Sequence, residues 1–339
     1  MKRSGILAGG NFIIDHVKII DSWPSQDMLA SILRETSANG GGPYNVLKDL
    51  AALKCPFPLA AAGLVGNDTN GQWIIQDCRQ ARIDVTQLQQ TDAAPTSYTD
   101  AMTVESTGRR TFFHQRGANA HLGEEHFRFD VSTHRWFHLG YLLLLDEMDR
   151  LLSDGRTVAS RVLEDARAAG MITSVDIVST EHPQFREIAL ASLPYTDHLI
   201  INEIEAGRVT ARELRVGEGI DIAATTTAAS QLLKLGVHRE VVIHFVEGAV
   251  AVDSGGQVTL QGSLCLPNQG FIVGATGAGD AFAAGYLYAK HEGWATTEAL
   301  KLAVTTAAAC LTDPTPSGGL RSLAACRELV AGMAFRELR

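Results

Sequence analysis

The chain has 339 residues, of which 45% are hydrophobic and 20% are charged, the balance of an ordinary globular protein. Its net charge is −9 and it contains no basic run, so we expect no nucleic-acid partner. No stretch approaches the roughly 18 apolar residues of a membrane span, and we therefore expect no membrane segment.

The five cysteines are scattered, and no two of them have the spacing of a metal site or a redox pair. Because their number is odd, they are interpreted as buried, reduced thiols. Gly9, Gly10 and Asn11 interrupt the first apolar run, so we expect no signal peptide. These features together predict a cytoplasmic protein.

The N-terminal segment predicts a strand, a glycine-rich turn and a helix. Gly5 to Gly10 is a short apolar run, typical of a buried first strand. Asp15 follows in a loosely alternating stretch, where its simplest interpretation is a charge on a solvated strand. Glycines 40–42 then allow a close approach of the backbone before a helical pattern, and Asn45 at the helix start fits a plain cap.

Residues 60–65 predict another strand, which leads into a turn and a helix from about 71 to 83. In that helix the spacing places Trp73, Ile74 and Cys78 on the inward face.

A predicted β-hairpin interrupts this α/β pattern. Residues 96–105 alternate as a strand, 106–108 give a turn signal, and 110–115 return as a second strand. Together with segments within about 11–38, the region 96–116 predicts a small separate sheet. Arg116 at its end fits either a substrate contact or a solvated strand terminus.

From residue 136 onward, strand and helix patterns alternate. The predicted strands are 136–142, 171–177, 198–201 and 241–246, and the main helices between them are 156–169 and 222–235. This alternation predicts an α/β fold in which helices cover both faces of a mostly parallel sheet. Ligands bind at the carboxyl ends of such strands, where Asn202 and Glu205 are found. That pair suits either of two roles: holding the water shell of Mg²⁺, or capping a helix whose first turn is acidic.

The stretch Gly277-Ala278-Gly279-Asp280 precedes a helical pattern and predicts a tight turn into a helix. Free N–H groups and the helix dipole favour negative charge at such a turn. Asp280 in the first turn can accept a proton from an attacking hydroxyl, while the N–H groups hold a transferring phosphoryl group. The alternative is a glycine-rich helix start whose Asp only complements the dipole.

This stretch, continued by Ala281 and Phe282, resembles the C-terminal signature of the ribokinase-like (PfkB) carbohydrate kinases. Further family motifs occur in the expected order, among them Gly40-Gly41-x-x-x-Asn45, Gly63-x-x-Gly66-x-Asp68-x-x-Gly71 and Asn202-x-x-Glu205. The resemblance runs from about residue 6 to about residue 319. It implies a single ribokinase-like α/β domain over residues 1–339, with a lid formed by about 11–38 and 96–116.

The resemblance also implies a role for particular residues. Asp280 becomes the catalytic base, and Gly277, Ala278 and Gly279 become the anion hole. Glu205 holds Mg²⁺ through water. The residues expected to bind substrate are Asp15, Gly41, Asn45, Arg116 and Asp146, and those expected to bind ATP are Asn202, Glu205, Gly248 and Thr276.

The implied activity is ATP-dependent phosphorylation of a hydroxyl on a sugar or sugar-like alcohol, by an enzyme that dimerises through its lid. The chain departs from the family at two places. Gly274-Ala275 replaces Asp-Thr, which makes a K⁺ site doubtful, and His244-Phe245-Val246 replaces the Thr-Leu-Gly stretch that lines the nucleotide phosphates. A nucleoside kinase, and a sugar- or nucleotide-binding protein without turnover, are the alternatives.

Overall fold

The structure, a computed structural model, describes residues 3–267 and 270–338. Its strands are β1 (Ile6–Gly10), β2 (Ile13–Ile20), β3 (Ile32–Gly40), β4 (Leu59–Gly66), β5 (Asp84–Thr91), β6 (Tyr98–Val104), β7 (Arg110–Gln115), β8 (Trp136–Leu142), β9 (Ile172–Ile177), β10 (His198–Asn202), β11 (Arg215–Val216), β12 (Gly219–Ile220), β13 (Glu240–Phe245), β14 (Gly248–Asp253) and β15 (Val258–Gly262).

Its helices are α1 (Gly42–Ala52), α2 (Thr69–Gln80), α3 (Asp146–Asp149), α4 (Val158–Ala168), α5 (Phe185–Ser192), α6 (Glu203–Thr210), α7 (Ile222–Lys234), α8 (Ala278–His291), α9 (Thr296–Cys310) and α10 (Leu323–Leu329). Among the described residues, none of these helices is long and apolar enough to cross a membrane.

Nine strands form the main sheet, in the order β15-β14-β13-β10-β9-β8-β1-β4-β5. All neighbours from β13 to β5 pair in parallel, while β14 and β15 add an antiparallel edge. Successive side chains of a strand point to opposite faces, so Ile6 and Ala8 join one hydrophobic core and Leu7 joins the other. Helices α1, α8 and α9 pack on the first face and α4 to α7 on the second, which confirms the predicted α/β fold.

A second sheet of four strands has the order β3-β2-β6-β7. The β2–β6 pairing is parallel, and the two outer pairings are antiparallel. Large apolar side chains are exposed on this small sheet and its connections, among them Trp23, Leu33 and Phe113. Trp23 stacks on Phe113 with a centroid distance of 6.2 Å, so these two exposed side chains form one apolar surface rather than two isolated ones.

The fold differs from the sequence prediction in α2, in β5, and in the strands β11, β12, β14 and β15, which the sequence analysis does not predict. Ile74 and Cys78 are fully buried in α2, but Trp73 is 40% exposed, so its predicted inward orientation is wrong. Strand β5 is absent from the sequence prediction, because it lies at the edge of the main sheet and buries only Leu88. An edge strand with so little burial lacks the apolar run that marks the central strands.

Candidate active site

A cleft of about 840 Å³ opens where the carboxyl ends of the parallel strands meet the small sheet. Asp176 and Asn202 lie at the ends of β9 and β10, and both line it. The turn before α8 lines the same cleft from residue 275 to Asp280. Gly41 and Asn45 line the cleft as well, so the structure brings together motifs that are more than 200 residues apart in the chain.

Asp280 lies in the first turn of α8, as predicted, and its residue is only 4% exposed. Its Oδ2 accepts a hydrogen bond from Asn45 Nδ2 at 2.8 Å, and its Oδ1 accepts one from the Tyr141 hydroxyl at 2.5 Å. Burial raises the pKa of Asp280 to about 6, and the two hydrogen bonds oppose that rise. The carboxylate is thus mostly ionised at neutral pH and has a pKa suited to a general base.

Gly277 is the residue that makes the turn before Asp280 possible. Its φ is 78°, in the left-handed region, and a Cβ there would lie 2.6 Å from the carbonyl oxygen of Pro316. A Cβ on Gly279 would lie 3.3 Å from the His244 ring, which itself packs in a tilted arrangement against the Phe282 ring. The backbone of residues 277–279 is therefore held between the Pro316 loop and His244, at the start of a 14-residue helix.

The glycine run before α1 makes room for functional side chains. A Cβ on Gly40 would lie 2.4 Å from the carboxyl group of Asp15, and one on Gly42 would lie 2.8 Å from the Tyr141 ring. Gly41, at φ 89°, is the N-cap of α1, so the cap interpretation of Asn45 is wrong. Asn45 instead accepts a hydrogen bond from Asn39 at 2.7 Å and donates to Asp280.

Asp15 is not a solvated charge, because it is 8% exposed and lines the cleft. Burial and the nearby Asp280 raise the pKa of Asp15 to about 8. Its carboxyl group can therefore carry a proton at neutral pH and donate, as well as accept, a hydrogen bond.

Asn202 and Glu205 form the helix cap that is one interpretation of their motif. Asn202 caps α6, since its Oδ1 accepts from the N–H groups of Ile204 and Glu205, and Glu205 accepts in return from the Asn202 N–H. Glu205 Oε1 also accepts from Ser179 at 2.7 Å and from Asn202 Nδ2 at 2.7 Å. The cap thus fixes the Glu205 carboxylate while that side chain still lines the cleft.

The carboxylates beside Glu205 fit a bound cation. Burial raises the pKa of Glu205 to about 7, and burial with neighbouring Glu205 and Asp280 raises the pKa of Asp176 well above its ordinary value. Within the described ranges, no group of three or more His, Cys, Asp or Glu side chains could hold a metal directly. Mg²⁺ usually keeps several waters and uses one or two carboxylates with substrate phosphates, and the Glu205 region offers such a donor set.

Three predicted site residues do not line the cleft. Arg116 and Asp146 form an ion pair with each other at 2.5 Å outside it. Gly248 begins β14, where a Cβ would lie 2.2 Å from the Gln261 carbonyl oxygen, so its role here is close strand packing. The geometry gives no support to the substrate and ATP contacts predicted for these residues.

Sequence reasoning missed Arg110 and assigned no role to Tyr141 or Asp176. Arg110 is the only Lys or Arg among the described residues that line the cleft, and its Nη1 donates to Thr276 Oγ1 at 2.7 Å. Thr276, which is predicted to bind ATP, also lines the cleft. The missed side chains come from β7, β8 and β9, and strand periodicity alone does not say which of their ends lie together.

A model of the pfkB family carbohydrate kinases matches residues 8–322 of this chain. The chain belongs to the PfkB family of carbohydrate kinases. The match to this PfkB protein extends from β1 to the loop before α10, so it includes the whole cleft.

Comparison with individual proteins agrees with the family. The PfkB chain is 22% identical over 301 residues to the 5-dehydro-2-deoxygluconokinase of Shouchella clausii (strain KSM-K16), and the alignment covers 86% of each protein. Its fold is similar to that of Arabidopsis thaliana ribokinase complexed with ribose and ATP, with a TM-score of 0.79, 21% identity and coverage of 98% and 99%. It is also similar to the Methanocaldococcus jannaschii nucleoside kinase, with a TM-score of 0.73, 16% identity and coverage of 96% and 98%.

Proposed function

We propose that this protein transfers the terminal phosphoryl group of ATP to a hydroxyl of a sugar or sugar-like alcohol. The observation that carries the proposal is the buried Asp280 carboxylate, held by two donors in the first turn of α8 beside the Gly277–Gly279 backbone. In this proposal Asp280 takes the proton of the attacking hydroxyl. The N–H groups of residues 277–279 hold the charge on the phosphoryl group.

The acceptor is proposed to lie between the small sheet and α1. Asp15, Gly41 and Asn45 line this part of the cleft and offer a carboxyl group and an amide for its hydroxyls. Arg110 takes the place predicted for Arg116, since it reaches Thr276 beside the anion hole. A guanidinium there stabilises negative charge on the phosphoryl oxygens.

Mg²⁺ fits beside Glu205, with Asn202 orienting that carboxylate, and when bound it neutralises charge on the ATP phosphates. We expect weak or no K⁺ dependence. A Cβ on Gly274 would lie 2.7 Å from the Asp313 carbonyl oxygen and 2.7 Å from Pro314 Cα, so this backbone has no room for the family's Asp side chain.

The small sheet is proposed to act as the lid of one domain and as a dimer contact. Its strands β2, β6 and β7 contribute Asp15, Thr99 and Arg110 to the cleft wall. Its outer strands have unpaired edges, and the apolar surface around Trp23 and Phe113 is exposed, both of which favour pairing with a second copy. All five cysteines are free, which supports the cytoplasmic location predicted above. The prediction that all of them are buried is wrong, because Cys265 is exposed and Cys55 is half-buried.

A nucleoside kinase is the second candidate, because the nucleoside kinase described above shares the fold. A thermal-shift panel of sugars, sugar alcohols and nucleosides, followed by ADP-release assays on the ligands that bind, separates the two. We expect a sugar or sugar-like alcohol to stabilise the protein and to release ADP. Turnover of nucleosides alone would favour the second candidate, and ligand binding without ADP release would contradict a kinase.

A further inference from the structure

Of the two side chains among the described residues that hydrogen-bond to Asp280, Asn45 belongs to a sequence motif and Tyr141 does not. Its hydroxyl donates to Asp280 Oδ1 at 2.5 Å, on the opposite carboxyl oxygen from Asn45. A hydrogen bond this short to a carboxylate is strong, because the acceptor is charged.

Two hydrogen bonds fix the backbone at Tyr141, and Gly42 leaves space for its ring. The backbone N–H of Tyr141 donates to Asn11 Oδ1 at 2.6 Å, and the N–H of Asn11 donates to the Gly140 carbonyl at 2.9 Å. The absence of a side chain on Gly42 leaves space for the ring, since a Cβ there would lie 2.8 Å from Tyr141 Cε1. The contact with Asp280 is therefore built into β1, β8 and the start of α1.

We infer that Tyr141 is a positioning residue that keeps the Asp280 carboxylate oriented and ionised for proton abstraction. This inference rests on the proposed function, in which Asp280 is the base. Asn45 and Tyr141 each occupy one carboxyl oxygen, which fixes the carboxyl plane while the remaining lone pairs stay free for the acceptor hydroxyl.

The surroundings of Asp280 explain why such a donor is needed. The titratable groups near it come from six elements: Asp15, Asp49, Tyr141, Asp176, His244 and Cys310. Burial opposes the negative charge of Asp280, and that charge in turn raises the pKa of Asp15, Asp49 and Asp176. His244 supplies no compensating positive charge, because burial lowers its pKa to about 4. The pKa of Tyr141 itself is raised well above 10 by burial and by these carboxylates, so the phenol remains a donor throughout the working pH range.

The test is the pH dependence of kcat/KM for Tyr141→Phe. Hydrogen bonds to charged groups contribute about 1.5–3 kcal/mol, so removing this one should raise the acidic pKa of the profile by about one to two units. On the pH plateau, KM should change much less than kcat/KM changes on the acidic side of the profile. Tyr44→Phe is the matched control, because Tyr44 donates to Asp77 at the same 2.5 Å away from the cleft.

Two further measurements keep the inference testable if Tyr141→Phe folds poorly or is inactive. Site-specific replacement of Tyr141 by difluorotyrosine strengthens the donor and should shift the acidic pKa downward. The carboxyl pKa of Asp280, followed by isotope-edited infrared spectroscopy without ligands, should move in the same directions without any need for turnover.

An unchanged Asp280 pKa in both variants would overturn the inference. A lower KM together with an unchanged acidic pKa in the kcat/KM profile would also overturn it, because Tyr141 would then only occupy the position that the acceptor hydroxyl takes. Shifted infrared pKa values in a protein that phosphorylates nothing would contradict the proposed function while leaving the Tyr141 contact intact.

Discussion

Gly277→Ala tests whether the turn before α8 needs a glycine for both of the reasons seen in the structure. The new Cβ would hold a left-handed φ of 78°, at a cost of about 1–2 kcal/mol. It would also lie 2.6 Å from the Pro316 carbonyl oxygen and 2.8 Å from Pro316 Cα, and overpacking of this kind costs about 1–3 kcal/mol. The expected loss is about 2–5 kcal/mol, a large fraction of a typical stability of about 5–15 kcal/mol.

Gly293→Ala separates the two contributions. Gly293 has a φ of 76°, and none of the described neighbouring atoms lies within 4 Å of the position that a Cβ would take there, so this variant carries the backbone strain alone. Urea unfolding should therefore show Gly277→Ala to be less stable than Gly293→Ala by about 1–3 kcal/mol. A turn displaced by about 1 Å can reduce turnover about 100-fold, and we expect such a loss of kcat only in Gly277→Ala. Equal stabilities together with full turnover would refute this account of the turn.

Three other predictions concern charge, ions and the small sheet. Folding raises the pKa of Asp15 to about 8 and of Glu205 to about 7, so the folded state binds more protons than the unfolded state. The unfolding free energy of the ligand-free protein should therefore fall as the pH rises from about 7 to about 8.5. Urea titrations that show greater stability at the higher pH would disprove this. Because Gly274 leaves no space for a carboxylate, initial rates at constant ionic strength should rise little with K⁺, and strong saturable activation at low millimolar K⁺ would reverse that view. Amide exchange in the hairpin 98–115 should be fast without ligand and slow with acceptor, and rates unchanged by a saturating acceptor would exclude a lid.

The sequence predicts the sheet, the helices and the order of the motifs because these depend on local patterns. The sequence also points to Asp280, Asn45 and Glu205, which all line the cleft, since each belongs to a short motif with its own spacing. Arg110 and Arg116 show the limit of that approach. Arg110 begins β7 and Arg116 directly follows it, and only the three-dimensional pairing of the small sheet decides that Arg110 reaches the cleft while Arg116 pairs with Asp146.

Tyr141 and the glycine run show a second limit. The sequence indicates that residues 40–42 permit close approach, but it does not say which groups approach. The structure supplies them: the Asp15 carboxyl group at Gly40 and the Tyr141 ring at Gly42. Such contacts join residues about 25 to 100 positions apart, and no local periodicity encodes them.

The most direct test of the proposed mechanism is the turnover of Asp280→Asn. The substitution keeps the size of the side chain but removes the proton acceptor, so kcat for the best acceptor should fall on the order of hundreds-fold or more. Acceptor affinity, measured by calorimetry, should change far less. Asp77→Asn is the control, because Asp77 also accepts a tyrosine hydroxyl at 2.5 Å but lies outside the cleft. A folded Asp280→Asn enzyme with nearly the kcat of the unmodified protein would show that Asp280 is not the base.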